Sequence, residues 1–158
     1  MTTELISNWA EHDIALCRIL PELSQSLRIF ADDLTRLDLE RPEIADSLRH
    51  FLAADAQNTL KIVLKNSESF SRNSPRLMNL LRSYPDRMTV IAAPDHLASL
   101  SDNIVLVDDR HALIRFHQDH VRSKLIVDNA AECLPYAQRF DAIIREGGEP
   151  ISATTLGL

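Results

Sequence analysis

The strongest constraint on this chain is an alternation of hydrophobic period that runs as far as Pro94. Three short apolar runs rich in branched residues, "SLRIFADD" (26–33), "TLKIVLKN" (59–66) and "MTVIAAP" (88–94), read as buried strands. A helical pattern precedes each of them. In "WAEHDIALCRILPEL" the residues Ala10, Ile14, Cys17, Leu20 and Leu23 make the expected apolar stripe, with Ser7 or Asn8 as cap and Pro21 kinking or ending the helix. "RPEIADSLRHFLAAD" places Pro42 in a first turn and Ile44, Leu48, Phe51 and Leu52 on one face. Ser74-Pro75 opens a third helix carrying Leu77, Met78, Leu80 and Leu81, with Ser74 as its N-cap. An αβαβαβ order of this kind implies parallel strands with crossover helices packed on the sheet.

After residue 100 the rhythm changes. "NIVLVD" and "HALIRF" are apolar strands joined at Asp109-Arg110, close enough for a hairpin and so for an antiparallel addition. "HVRSKLIVD" reads as a turn into an edge strand. "NAAECLPYAQRFDAIIREGG" closes the pattern as a helix capped by Asn129 and Glu132 and stopped at Gly147-Gly148, with Pro135 near its start. The tail "EPISATTLGL" is expected to dock as an extended end. The fold class is therefore α/β, a mixed β-sheet with helices packed on it, in one domain over 1–158 without internal repeats.

Composition removes several functions. With three glycines in the chain there is no glycine-rich phosphate cradle, and neither GxGxxG, a P-loop nor GxSxG occurs. No apolar run approaches the ~18 residues of a membrane span, and "MTTELISNWAEHD" does not resemble a secretory signal. Cys17 and Cys133 are isolated and read as reduced, partly buried thiols of a cytoplasmic protein. A net charge of −6 disfavours nucleic acid, and Arg72, Arg76, Arg82 and Arg87 read as arginines scattered on a solvated face.

The candidate site residues cluster in "SDNIVLVDDRHALIRFHQDH" (101–120), which holds His111, His117 and His120. His117-Gln118-Asp119-His120 follows a strand, where histidines do not converge as an i,i+4 pair on a helix would, so it reads as exposed loop and no metal is expected. His111 is expected to be a half-exposed strand residue. Arg115 is a charge on an apolar strand, expected to point into a cleft or to pair with Asp32 or Asp33.

The same stretch carries a resemblance. "IVLV" (104–107) followed by Asp108 resembles the strand of the phospholipase D superfamily motif H-x-K-x4-D, and here the motif reads Ser101-x-Asn103-x4-Asp108. "LRIFADDLTRLDLERPEIADSL", "SPRLMNLLRSYPDRMTV", "DNIVLVDDRHALIRF", "RFDAIIREG" and the closing "TTLGL" resemble an uncharacterised group of bacterial phospholipase D-like domains. Members of that group stand alone or follow an N-acetyltransferase domain. The resemblance implies a phospholipase D-like half: βαβαβ order, then a hairpin and a C-terminal helix. It also implies a homodimer, because superfamily halves pair around the motif strand. The motif aspartate of active members supports a histidine; without one here, Asp108 is expected to be an exposed strand-end or turn carboxylate beside Asp109.

Active members use one histidine as nucleophile and another as acid, while lysines bind phosphoryl oxygens. Ser101 is no imidazole, and Asn103 brings no positive charge. Acid–base assistance alone is worth about 10²–10⁴-fold. The expected function is a noncatalytic dimerisation, binding or scaffold module. The alternative is a regulatory domain that takes a phosphate-bearing ligand at Ser101, Asn103, Arg115 and His117 and acts on a partner of the acetyltransferase type. A re-tooled phosphodiesterase using His111, His117 or His120 stands third. No cofactor is expected.

Overall fold

The alternating strands join into one sheet. In the computed structural model, which describes residues 2–153, the elements run β1 (Thr2–Ile6), α1 (Trp9–Ile19), β2 (Ser26–Ala31), α2 (Pro42–Ala54), β3 (Thr59–Leu64), α3 (Phe70–Asn73), α4 (Pro75–Ser83) and β4 (Met88–Ala92). They continue with β5 (Asn103–Val107), β6 (His111–Arg115), β7 (Ser123–Val127), α5 (Ala130–Arg145) and β8 (Glu149–Pro150). The strand order is β1-β7-β6-β5-β2-β3-β4-β8. β2, β3 and β4 are parallel, and every other neighbouring pair is antiparallel. The parallel core and the β5–β6 hairpin are those expected from the sequence. The tail docks as β8 on β4, while "TTLGL" lies outside the described residues.

Side chains alternate across the strands and so build two apolar layers. Leu27, Ile29, Leu60, Ile62, Val105 and Leu113 face α1, α2 and α4. Phe30, Val63, Ile104, Leu106 and Ile114 face α5 through Cys133, Ala137 and Phe140. All five residues of β5 are buried, as a strand covered on both faces requires. Each such Leu, Ile or Val contributes roughly 1.5–3 kcal/mol.

Several local expectations are corrected. On α1 the buried residues are His12, Ala15, Leu16 and Ile19, whereas Ala10, Ile14 and Cys17 face solvent. That stripe has regular i, i+3, i+4, i+7 spacing, but it includes a histidine and so is not visible as apolar. Cys17 is exposed, and Cys133 is wholly buried, its thiol pushed up to about 11 chiefly by that burial. β7 is not an edge, because β1 pairs along it from Thr2↔Val127 to Ile6↔Ser123. Ser74 makes no side-chain cap on α4. The Glu40 carboxylate does so, accepting from the Arg76 and Leu77 N–H groups, both at 2.9 Å. Among the basic residues, Arg87 is structural: its Nη1 donates to the Leu52 and Asp55 carbonyls at 2.6 and 2.7 Å.

Candidate functional site

The motif residues fall at opposite ends of β5. Asp108 follows the strand and opens the turn to β6. It and Asp109 have left-handed backbones (φ +57° and +55°), a conformation that Asp tolerates better than most residues. The Asp108 carboxylate accepts from the N–H groups of Ser24 (3.0 Å), Gln25 (2.7 Å) and Ser26 (3.0 Å), and from the Ser24 hydroxyl (2.8 Å). Partial burial raises its pKa, but the bonds from Ser26, Gln25 and Ser24 outweigh this and hold it below the usual carboxylate value. This aspartate pins the segment leading into β2. At about 3.3 Å per residue it lies about 16 Å from Asn103, so it supports no group at the motif's first positions. Asp109 on the same turn pairs with Arg28.

The other end of β5 is built differently. Asn103 and Arg115 are cross-strand partners in the β5–β6 register, both facing the α1 layer and both buried. With its amide oxygen toward the guanidinium, Asn103 accepts from Arg115 Nη2 and donates to the Asp102 carbonyl at 3.1 Å. Arg115 Nη1 donates to the Gln118 carbonyl, and the guanidinium lies 5.4 Å from the Trp9 ring centroid. Arg36 sits over the same ring at 3.9 Å. The expected ion pair with Asp32 or Asp33 is not formed. Burial lowers the Arg115 pKa, Arg36 adds to this, and Asp33 and Asp32 oppose it from a distance.

Three residues of this end escape the sequence reading. Lys65, closing β3, donates to the Leu100 carbonyl and to Gln118 Oε1, so Gln118 links both cations. Burial lowers its pKa against the pull of Asp32 and Asp102. A lysine ending an apolar strand is the same signal that singled out Arg115. Trp9 and His12, from α1, cover the end, their rings 5.2 Å apart and edge to face. His12 is 1% exposed, and its Nδ1 has no hydrogen-bond partner, the nearest Asp13 oxygen being 3.8 Å away. The cavity beside His12, Asn103 and Arg115 holds about 10 Å³.

The remaining candidates do not converge. Ser101 is half-buried, and its carbonyl accepts from the Gln118 N–H at 2.7 Å. His117 is partly exposed; its Nδ1 accepts from the Asp119 N–H at 3.1 Å, and its ring lies 5.1 Å from that of exposed His120. His111 is buried rather than half-exposed, and its Nδ1 accepts from the Asp128 N–H at 3.0 Å. It occupies the far end of β6 from His117, so the three histidines form no common site. Among the described residues, no cluster of three or more His, Cys, Asp or Glu is placed to hold a metal, and no helix is long and apolar enough to cross a membrane.

Solved structures share this architecture. The phospholipase D family member Nuc from Salmonella typhimurium superposes with a TM-score of 0.61 at 13% identity, over 96% of this chain and 99% of its own. TrmBL2, an archaeal chromatin protein whose structure shows a novel mode of DNA binding, gives 0.64 at 11% identity, over 90% of this chain and 49% of its own. Phosphatidylserine synthase from Haemophilus influenzae Rd KW20 gives 0.61 at 12%, over 88% and 36%. The chain thus spans about half of TrmBL2, about a third of the synthase and nearly all of Nuc. No curated protein matches it by sequence. The fold is phospholipase D-like, and through a match over residues 9–149 the chain belongs to the family described as Domain of unknown function (DUF7931).

Proposed function

We propose that residues 1–158 form a noncatalytic phospholipase D-like module, a binding or scaffold unit that pairs with a second copy of itself. The observation that carries this reading is the Asn103–Arg115 pair under Trp9 and His12. The space beside it is about 10 Å³, roughly that needed for one water and no more. A phosphodiester has no room there. The motif's nucleophile and clamp positions hold Ser101, bonded to no base, and Asn103, which carries no charge. Pairing is supported by the open edge of β1 and by Leu5, 66% exposed on that strand.

Bis(p-nitrophenyl) phosphate tests the chemistry: no hydrolysis above buffer is expected. Turnover that disappears in His117→Ala or His111→Ala would overturn the reading. Light scattering tests the pairing, with an expected mass of twice the 17.8 kDa chain. A mass of one chain at all concentrations refutes it.

A second reading rests on half-buried Lys65 and buried Arg115, two cations joined through Gln118. It makes the protein a regulatory unit that takes a phosphate-bearing ligand at this end once Trp9 moves aside. A higher melting temperature in inorganic phosphate than in sodium chloride of equal ionic strength favours it; equal temperatures reject it.

A further inference from the structure

We infer that the crevice between the loops after β2 and β3 is a binding site for a small ring polyol, neutral or amine-bearing, of monosaccharide size. Five uncharged polar side chains line this crevice without an intramolecular hydrogen bond: Thr35, Asn66, Ser69, Asn73 and Ser74. Ser74 is the telling one. It stands at the N-cap position of α4, but Glu40 performs the capping, so on a residue otherwise buried the hydroxyl is unused by the fold and opens onto the crevice. Hydroxyls and carboxamides that the fold leaves unbonded are held by water in the free crevice and are available to a polar ligand.

The position and size suit such a ligand. The lining follows the carboxyl ends of parallel strands, where α/β sheets gather their ligands. The cavity holds about 210 Å³ and opens to solvent. A six-membered ring fits in about 150 Å³, which leaves room here for its substituents. Half-buried Leu34 supplies apolar surface for a ring face, backed by the core residues Leu64 and Phe70, and the hydroxyl and carboxamide groups match ring hydroxyls. Charge sets the preference. Asp33, Asp38 and Glu40 also line the crevice; Arg41 pairs with Asp38 at 3.3 Å, and the carboxylates left over favour an amino substituent and disfavour a phosphate. The site shares none of its side chains with the Asn103–Arg115 pair, and it stands or falls separately from the noncatalytic reading.

Amide shifts of the ¹⁵N-labelled full chain, titrated with myo-inositol, D-glucosamine and glucose 6-phosphate, test this. Saturable shifts confined to 33–40 and 66–74 are expected, at about millimolar affinity for so small a ligand. D-glucosamine should bind several-fold tighter than myo-inositol, and glucose 6-phosphate weakest. Asn73→Leu and Ser69→Leu, each on an accessible lining position, should each abolish the shifts while the remaining spectrum is unchanged; if one variant misfolds, the other decides. The inference is overturned by no saturation up to ~50 mM of any probe, by glucose 6-phosphate binding best, or by binding that survives both variants.

Discussion

The two ends of β5 differ in how their polar groups are satisfied. At Asp108 a carboxylate meets three backbone N–H groups and a hydroxyl in a turn whose backbone suits it. At Asn103 a buried guanidinium and a half-buried ammonium rest on carbonyl and carboxamide oxygens, and a neutral histidine keeps one nitrogen without a partner. The lesson is that a residue in a catalytic motif can be held in place by folding alone. Asp108 has full employment as a staple and bonds to no histidine, whereas the buried guanidinium and the unpartnered imidazole lie where the chemistry would have been.

The largest effect should come from Asn103→Lys, which restores the residue the motif calls for. It sets an ammonium against buried Arg115 with no carboxylate bonded to either, and should cost about 3–5 kcal/mol in urea unfolding. A cost below about 1 kcal/mol would mean that this end is open and adaptable. The comparison would then fail.

Asp108→Ala comes next, with an expected loss of about 1–3 kcal/mol. Asp108→Asn should lose less, since it keeps an acceptor oxygen and tolerates the left-handed backbone. The sign with pH is fixed by the lowered pKa. The carboxylate's contribution is complete above its ordinary value of 3.8 and is lost as pH falls through the folded value. Unfolding of wild type and Asp108→Asn should therefore converge in strong acid.

His12 should give the smallest effect at neutral pH and the clearest signature in mild acid. Burial, with Arg115 and Arg36 adding and Asp13 opposing, holds its imidazole below the ordinary 6.5. Below pH 6.5 the unfolded chain takes up a proton that the folded one refuses, so stability falls with pH. His12→Leu should be within about 1 kcal/mol of wild type at pH 7 and should lose that acid slope. An unchanged slope would show that His12 is not the neutral, sequestered group described above.

What the sequence reveals follows the same division. α2, α4, β3 and the hairpin are legible because their buried residues are apolar and regularly spaced. β1 is not legible, since an edge strand with four of five residues exposed has no burial pattern to read. The α1 stripe is hidden by one buried histidine. At the site, the charge on Arg115 and the aspartate of the motif can be seen in the sequence. Their partners cannot: Asp108 is held by Ser24–Ser26, and Arg115 is stacked on Trp9, contacts that only the folded chain brings together.

The position of β1 also bears on how the sheet is assembled. β2 and β3 meet across a single helix, but Thr2 pairs with Val127 across nearly the whole chain. Closing so long a loop costs more entropy than any other pairing in the sheet. β1 should therefore be the last strand to dock and the first to release. In native-state hydrogen exchange its amides should open at a lower free energy than those of β5, which lies three strands further in.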